Sequence, residues 1–384
     1  MNYLKNFQLF YLLIAITLVI FGACKDDNLN PEITVPTTYA FERNGNSSVS
    51  FSGQNERLDM VKAMKSYLAQ GDKKEVTISA STLNDAYVNT GDNGNGFFDF
   101  TSTKQLRNKT FEPDLDNNFI ENLFAGAEAV SQSGVDAANG TPGFIVRENS
   151  GNTIMVDANG REFTQLIEKG LMGTVMYNQI YNTYFSDSRT GDDVENTILR
   201  EGANYTDLEH YWDEAFGYFN PPLDFTSNWP EDREDEVRFW SDYSNVVDPF
   251  IGSNSDIMKA FLTGRTAIVN NDMEEKNAQR AILFEKLELV AAATSIHYIN
   301  QTLGYLNEGK TGEAFHTLSE AWAFVNALVY NPQRRISLDQ IETIKETDFG
   351  ANGNFWNITA ADLNRAKTTL TSIFTELEAV KDQL

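Results

Sequence analysis

The sequence predicts a mainly α-helical protein: one or two antiparallel up-and-down helix bundles, with a small β-hairpin or extended decoration near the N-terminus. Three observations predict it. Apolar residues recur at three- and four-residue spacing over most of the chain, which is the period of one helix face. Three capping boxes, Thr206-Asp-Leu-Glu209, Ser337-Leu-Asp-Gln340 and Thr359-Ala-Ala-Asp362, mark helix starts. Short stops such as Asn220-Pro-Pro222, Gly309 to Gly312 and Asn331-Pro332 fall between the periodic stretches, as turns between antiparallel neighbours should.

Composition narrows the classes. At 384 residues the chain can bury a large core, and 41% hydrophobic with 22% charged residues is ordinary for a globular protein. A formal charge of −25 argues against nucleic acid as a partner, because a basic footprint is missing. The same charge suits a cation, or serves solubility alone.

Residues 1–23 read as an export signal. Lys5 precedes the apolar run Leu9 to Phe21, and Gly22-Ala23-Cys24 follows. The run is too short for a membrane span. It resembles a bacterial lipoprotein signal, in which Cys24, the sole cysteine, becomes the lipidated first residue. The alternative is a cleaved secretory peptide with an incidental cysteine. Lys25-Asp26-Asp27 resembles the surface-export tag of lipoproteins in Bacteroides-type Gram-negatives. The expectation is therefore a surface-exposed outer-membrane protein, held to the membrane through a lipid anchor at Cys24. Residues 24–37, with Pro31 and Pro36, form a tether, and residues 38–384 form the helical domain. If there are two bundles, their boundary falls near 190–253.

Along that domain, alternation around Asn44-Gly45 predicts a hairpin. Leu58, Val61, Met64 and Leu68 predict a helix ended by Gly71. Residues 72–112 are mixed, and the loop Thr90 to Gly96 lacks the alternate acidic positions of a calcium loop, so it reads as a turn. A helix follows over Asp114 to Ser131, with Leu115, Phe119, Leu123 and Val130 near one face. A short hairpin is expected around Ile145 and Ile154, then a helix from Glu162 to Phe185 ending in Tyr177-Asn-Gln-Ile-Tyr-Asn-Thr-Tyr184. That tyrosine–amide segment is either a sugar-binding surface or a set of buried tyrosines at a helix junction. The acidic run Glu231 to Glu236 reads as a solvated helix start. Further helices follow Asn254, cover Glu274 to Leu306 and Glu313 to Leu328, and begin at the last two capping boxes.

The candidate site rests on the three histidines. His210 is followed by Asp213 and Glu214, and His316 by Glu320, at spacings that share a helix face. Gly217, one turn further, would let a neighbouring helix approach. His297 lies on the Ala-rich helix just before that of His316, so the two could meet. Imidazoles and carboxylates converging inside a bundle suit iron, zinc or another transition metal. A histidine four residues from a glutamate is equally a plain hydrogen-bonded pair.

Thr38-Tyr-Ala-Phe-Glu42, Ser50-Phe-Ser-Gly-Gln-Asn-Glu-Arg57, His210-Tyr-Trp-Asp-Glu-Ala-Phe-Gly-Tyr218, Ala314-Phe-His-Thr-Leu-Ser-Glu-Ala321 and Phe355-Trp-Asn-Ile-Thr-Ala-Ala-Asp-Leu363 together resemble the domain of unknown function 4856 family. The resemblance covers nearly the whole mature chain and implies no particular activity. More distantly, the chain resembles imelysin-like proteins, two-bundle helical lipoproteins linked to iron uptake and once classed as peptidases. Of their Gly-Xaa-His-Xaa-Xaa-Glu motif, His210 and Asp213 map here, with Leu208 in place of Gly and Asp213 in place of Glu. The expected function is a lipoprotein that captures iron or another metal, or a small ligand, through His210, Asp213, Glu214, His297, His316 and Glu320. The alternatives are a glycan-binding partner of an outer-membrane transporter, suggested by 12% aromatic content, and a metal-dependent hydrolase.

Overall fold

The computed structural model describes residues 33–384; the expected export signal, Cys24 and the expected tether up to residue 32 lie outside the described residues. The fold is mainly α with two small antiparallel hairpins. The first pairs β1 (Glu42–Arg43) with β2 (Asn46–Ser47) around Asn44 and Gly45, both at positive φ, as the two-residue turn requires. The second pairs β3 (Gly143–Val146) with β4 (Thr153–Val156), with Ile145 opposite Ile154.

The first helix, α1 (Ser52–Leu68), buries the predicted stripe of Leu58, Val61, Met64 and Leu68. Helix α2 (Ala80–Val88), capped by the Ser79 side chain, lies within the stretch that reads as mixed. Helix α3 (Pro113–Ser133) buries Val130 and half-buries Phe119 and Leu123 of the expected face, and departs from it at its start. Leu115 is 65% exposed, and Ile120, Phe124, Ala127 and Val130 form the buried stripe.

Helix α4 (Phe163–Leu171) continues through two π-helical stretches, Met172–Tyr177 and Gln179–Tyr184. It is buried on nearly every side, as a helix at the centre of a core should be. The Tyr177 hydroxyl donates to Leu287 O at 2.7 Å, Asn178 and Gln179 donate to Lys109 O, and Asn182 donates to Tyr330 O. The three tyrosines of the tyrosine–amide segment are therefore buried at a helix junction.

After the short α5 (Asp187–Thr190) comes α6 (Asp207–Phe219), which opens on the predicted capping box and ends at Asn220 in the left-handed region. A Cβ on Gly217 would lie 2.5 Å from that of Phe51, so α1 does pack closely there. The acidic run is not the start of a helix. It forms its own 3₁₀ turn, Glu231–Glu236, in which Arg233 bridges Asp224 and Glu236 and covers the Trp229 ring. Helix α7 (Trp240–Ile251) starts beyond it.

Helices α8 (Ser253–Val269), α9 (Met273–Asn307) and α10 (Thr311–Ala327) run up, down and up, joined by short turns. Ala291, Ala292 and Ala293 are fully buried and keep α9 close to its neighbours. The α9–α10 turn is pinned by a 2.8 Å bond between the Thr302 and Thr317 hydroxyls. Helix α10 runs parallel to α4, with Ser319 Oγ accepting from Glu162 N at one end and Tyr330 beside Gly173 at the other. Helices α11 (Leu338–Thr343) and α12 (Ala360–Ile373) both open on the predicted capping boxes.

Buried apolar side chains from Tyr39 to Leu384 form one connected cluster. Phe216 packs against Phe261, and Trp240 stacks on Tyr177 at 3.5 Å. The core thus runs unbroken through residues 190–253.

Candidate functional site

Of the two carboxylates that follow His210, Glu214 faces it and Asp213 does not. Asp213 is fully buried and points away, 2.9 Å from Arg265 Nε, and accepts from the Tyr39 hydroxyl at 2.8 Å. Arg265, itself fully buried, also meets Glu209 at 2.9 Å and donates to Ser48 O. Arg43 closes the group with a pair of bonds to Glu209. Burial pushes Asp213 up to about 6, while for Glu209 burial is outweighed by Arg265 and Arg43, which hold it below the usual range. This is a clamp that fastens the N-terminal hairpin onto α6 and α8.

His210 instead faces Glu214 at 3.5 Å and stacks on Tyr205, and Glu214 also accepts from Gln54 and Tyr184. His297 bonds Gln301 within its own helix at 2.7 Å. Burial lowers the pKa of both histidines. His210 shares no hydrogen-bonding partner with His297 or His316 among the described residues.

His316 sits differently. Its Nδ1 lies 2.6 Å from Glu162 Oε2 and its Nε2 lies 3.2 Å from Glu320 Oε1. Glu320 reaches Lys169 Nζ at 3.5 Å, Lys169 donates to Gln165 Oε1 at 2.5 Å, and Gln165 Nε2 donates back to Glu162 Oε1 at 3.3 Å. The result is a closed ring of charged and amide groups carried by the first turns of α4 and by α10. Lys169 also bonds Glu168, which pairs with Lys65 of α1 at 2.7 Å. Glu162, Glu168 and Glu320 are thus balanced by the buried Lys169, by His316 and by Lys65, which reaches in from the surface.

The ring sets its own protonation states. Burial opposes a charge on His316, but Glu162 and Glu320 outweigh it and hold the imidazole at about 9. Burial also opposes a charge on Glu320, yet Lys169 and His316 hold it at about 2. A buried ionic network of this size is generally no more stabilising than apolar packing of similar volume.

Three members of the ring, Glu162, Gln165 and His316, line an open cleft of about 610 Å³. Arg147 and Asp72 line it as well. Asp72 follows Gly71, where a Cβ would lie 2.2 Å from Ile78, so no larger residue fits that turn. Its carboxylate accepts from Met155 N at 3.2 Å. Burial, and then the Glu162 charge, push Asp72 up to about 7.

The family described as Domain of unknown function (DUF4856) matches residues 36–379. The chain belongs to this family. No curated protein and no solved structure matches it. The DUF4856 match spans both the Arg265 clamp and the cleft, including Asp72, Glu162 and His316.

In this DUF4856 chain the ring is poorly suited to a metal. A metal needs a lone pair on a neutral imidazole, whereas both nitrogens of His316 already face carboxylates and the ring is held protonated. Among the described residues no group of three or more His, Cys, Asp and Glu side chains is placed to hold an ion. Of the six residues singled out from the sequence, His316 and Glu320 meet, His210 pairs with Glu214, and Asp213 and His297 stand apart from both pairs. Sequence reasoning missed Glu162, Gln165, Lys169 and Asp72. Polar residues at 162, 165 and 169, three and four apart in an otherwise apolar helix, were the available signal.

Proposed function

We propose that this protein is an exported, lipid-anchored binding protein of the outer-membrane surface, and that it holds a small polar ligand in the cleft between Asp72 and Glu162. One observation carries the reading: three members of a closed, charge-balanced ring of buried side chains, Glu162, Gln165 and His316, line a solvent-open cleft. Such a lining is fixed before any ligand arrives, so little ordering cost remains for binding. The anchor and the surface location are supported by Gly22-Ala23-Cys24 and by Lys25-Asp26-Asp27.

A thermal-shift screen of polar small molecules against the full chain, purified in detergent, tests the binding role. At least one compound class should raise the melting temperature of the wild type and raise it less in Asp72→Asn. A screen in which no polar compound shifts the wild type would remove the reading. Loss of membrane association in Cys24→Ser tests the anchor.

A further inference from the structure

The lining of the cleft contains more than members of the ring. Helix α4 begins there, with Glu162 as its N-cap residue, and no side chain caps its first turn. The first turn carries no acidic residue, and Thr164 and Gln165 from it line the cleft. The start of a helix carries about half a unit of positive charge, with backbone N–H groups pointing outward.

A second, independent observation lies at the same place. Thr164 is only 3% exposed, and its Oγ1 has no hydrogen-bond partner among the described residues. A buried hydroxyl left without a partner is costly, and it is satisfied when a ligand atom comes to it.

The rim agrees in sign. In a chain of net charge −25, this cleft is lined by Lys65, Lys73, Lys74 and Arg147 against Asp72, Glu75 and Glu162; Lys65, Lys74 and Arg147 pair with Glu168, Asp136 and Glu313, and Lys73 makes no ion pair among the described residues. Glu162 is not a free anion at the helix start, because its two oxygens are bonded to His316 and Gln165.

We infer that the cleft binds an oxyanion, the carboxylate or phosphate group of a small ligand, seated on the first turn of α4 with the Thr164 hydroxyl donating to it and the Lys73 ammonium at its rim. The inference rests on the reading of the cleft as a binding site and names the ligand's charged group. Asp72 is compatible with it. With its carboxyl pushed up to about 7, Asp72 is largely protonated in mildly acidic solution and can donate to the same group.

Isothermal titration calorimetry at pH 6 on the full chain in detergent decides it, with inorganic phosphate, galacturonate and neutral galactose as probes. Phosphate or galacturonate should bind, and galactose should bind at least tenfold more weakly than galacturonate. Thr164→Val, which removes only an unpartnered hydroxyl, should leave the melting temperature unchanged and weaken the anion roughly tenfold, the effect of losing a hydrogen bond to a charged group. Lys73→Glu on the exposed rim should weaken it too. Galactose binding as tightly as galacturonate, with both weakened by Asp72→Asn, would overturn the oxyanion and leave the cleft a binding site. Anion binding untouched by Thr164→Val would also overturn it. No binding by any of the three probes would overturn the oxyanion, while the broader thermal-shift screen would still decide whether the cleft binds anything.

Discussion

Glu162 Oε2 lies 2.6 Å from His316 Nδ1, across the gap between two parallel helices that are more than 150 residues apart in sequence. With Glu320 on the other ring nitrogen, this contact keeps His316 charged in a place where burial alone would neutralise it.

That contact predicts a definite pH dependence. The folded-state pKa of His316 is raised from 6.5 to about 9, so its contribution to stability is fully present below 6.5 and is lost as pH rises through about 9. Glu320 is lowered from 4.5 to about 2, so its contribution is present above 4.5 and lost as pH falls toward 2. Both contributions are complete between those limits. A stability loss on the order of 3 kcal/mol should appear between neutral pH and pH 9.5, read by urea denaturation. A flat profile across that range would show that His316 is not held by its two carboxylates.

Asp72 acts in a different window. Its folded-state pKa is raised from 3.8 to about 7, so the protein should lose stability as pH rises from 3.8 through 7. Asp72→Asn keeps an acceptor for Met155 N and removes the titration. The variant should match or exceed the wild-type melting temperature at pH 7.5, and its profile should be flatter between pH 5 and 7.

The Arg265 clamp sets a third expectation. Removing Arg265 leaves Asp213 and part of Glu209 as buried, uncompensated acids. Arg265→Ala should cost about 3–5 kcal/mol in urea denaturation, the range for breaking a buried pair from one side. It should also release the N-terminal hairpin, seen as faster amide exchange over residues 39–49. Breaking an exposed pair such as Lys381–Glu378 should barely change stability, which makes it a useful control.

Much of this architecture was legible because it is local. The capping boxes at Thr206, Ser337 and Thr359 start helices where the sequence places them, and Ile145 pairs with Ile154 as alternation suggests. The His316–Glu320 pair follows from helical spacing alone. Its partners Glu162 and Lys169 do not, because only the parallel packing of α4 and α10 brings them there. The same limit applies to Asp213. Spacing puts it within reach of His210, but a buried Arg265 on another helix draws it to the opposite side. Leu115 shows the reverse error: an apolar residue near the start of a helix that the core does not reach. Local pattern gives elements and intrahelical pairs, and the site depends on contacts between distant segments.

The account centres on a cleft that holds an anionic ligand on the first turn of α4, and native mass spectrometry of the full chain released gently from its own membrane tests this most directly. The wild type should carry a small bound species bearing a carboxylate or phosphate group, and Thr164→Val should lose it while keeping the wild-type melting temperature. Wild type and variant carrying the same species, or neither carrying any, would contradict it.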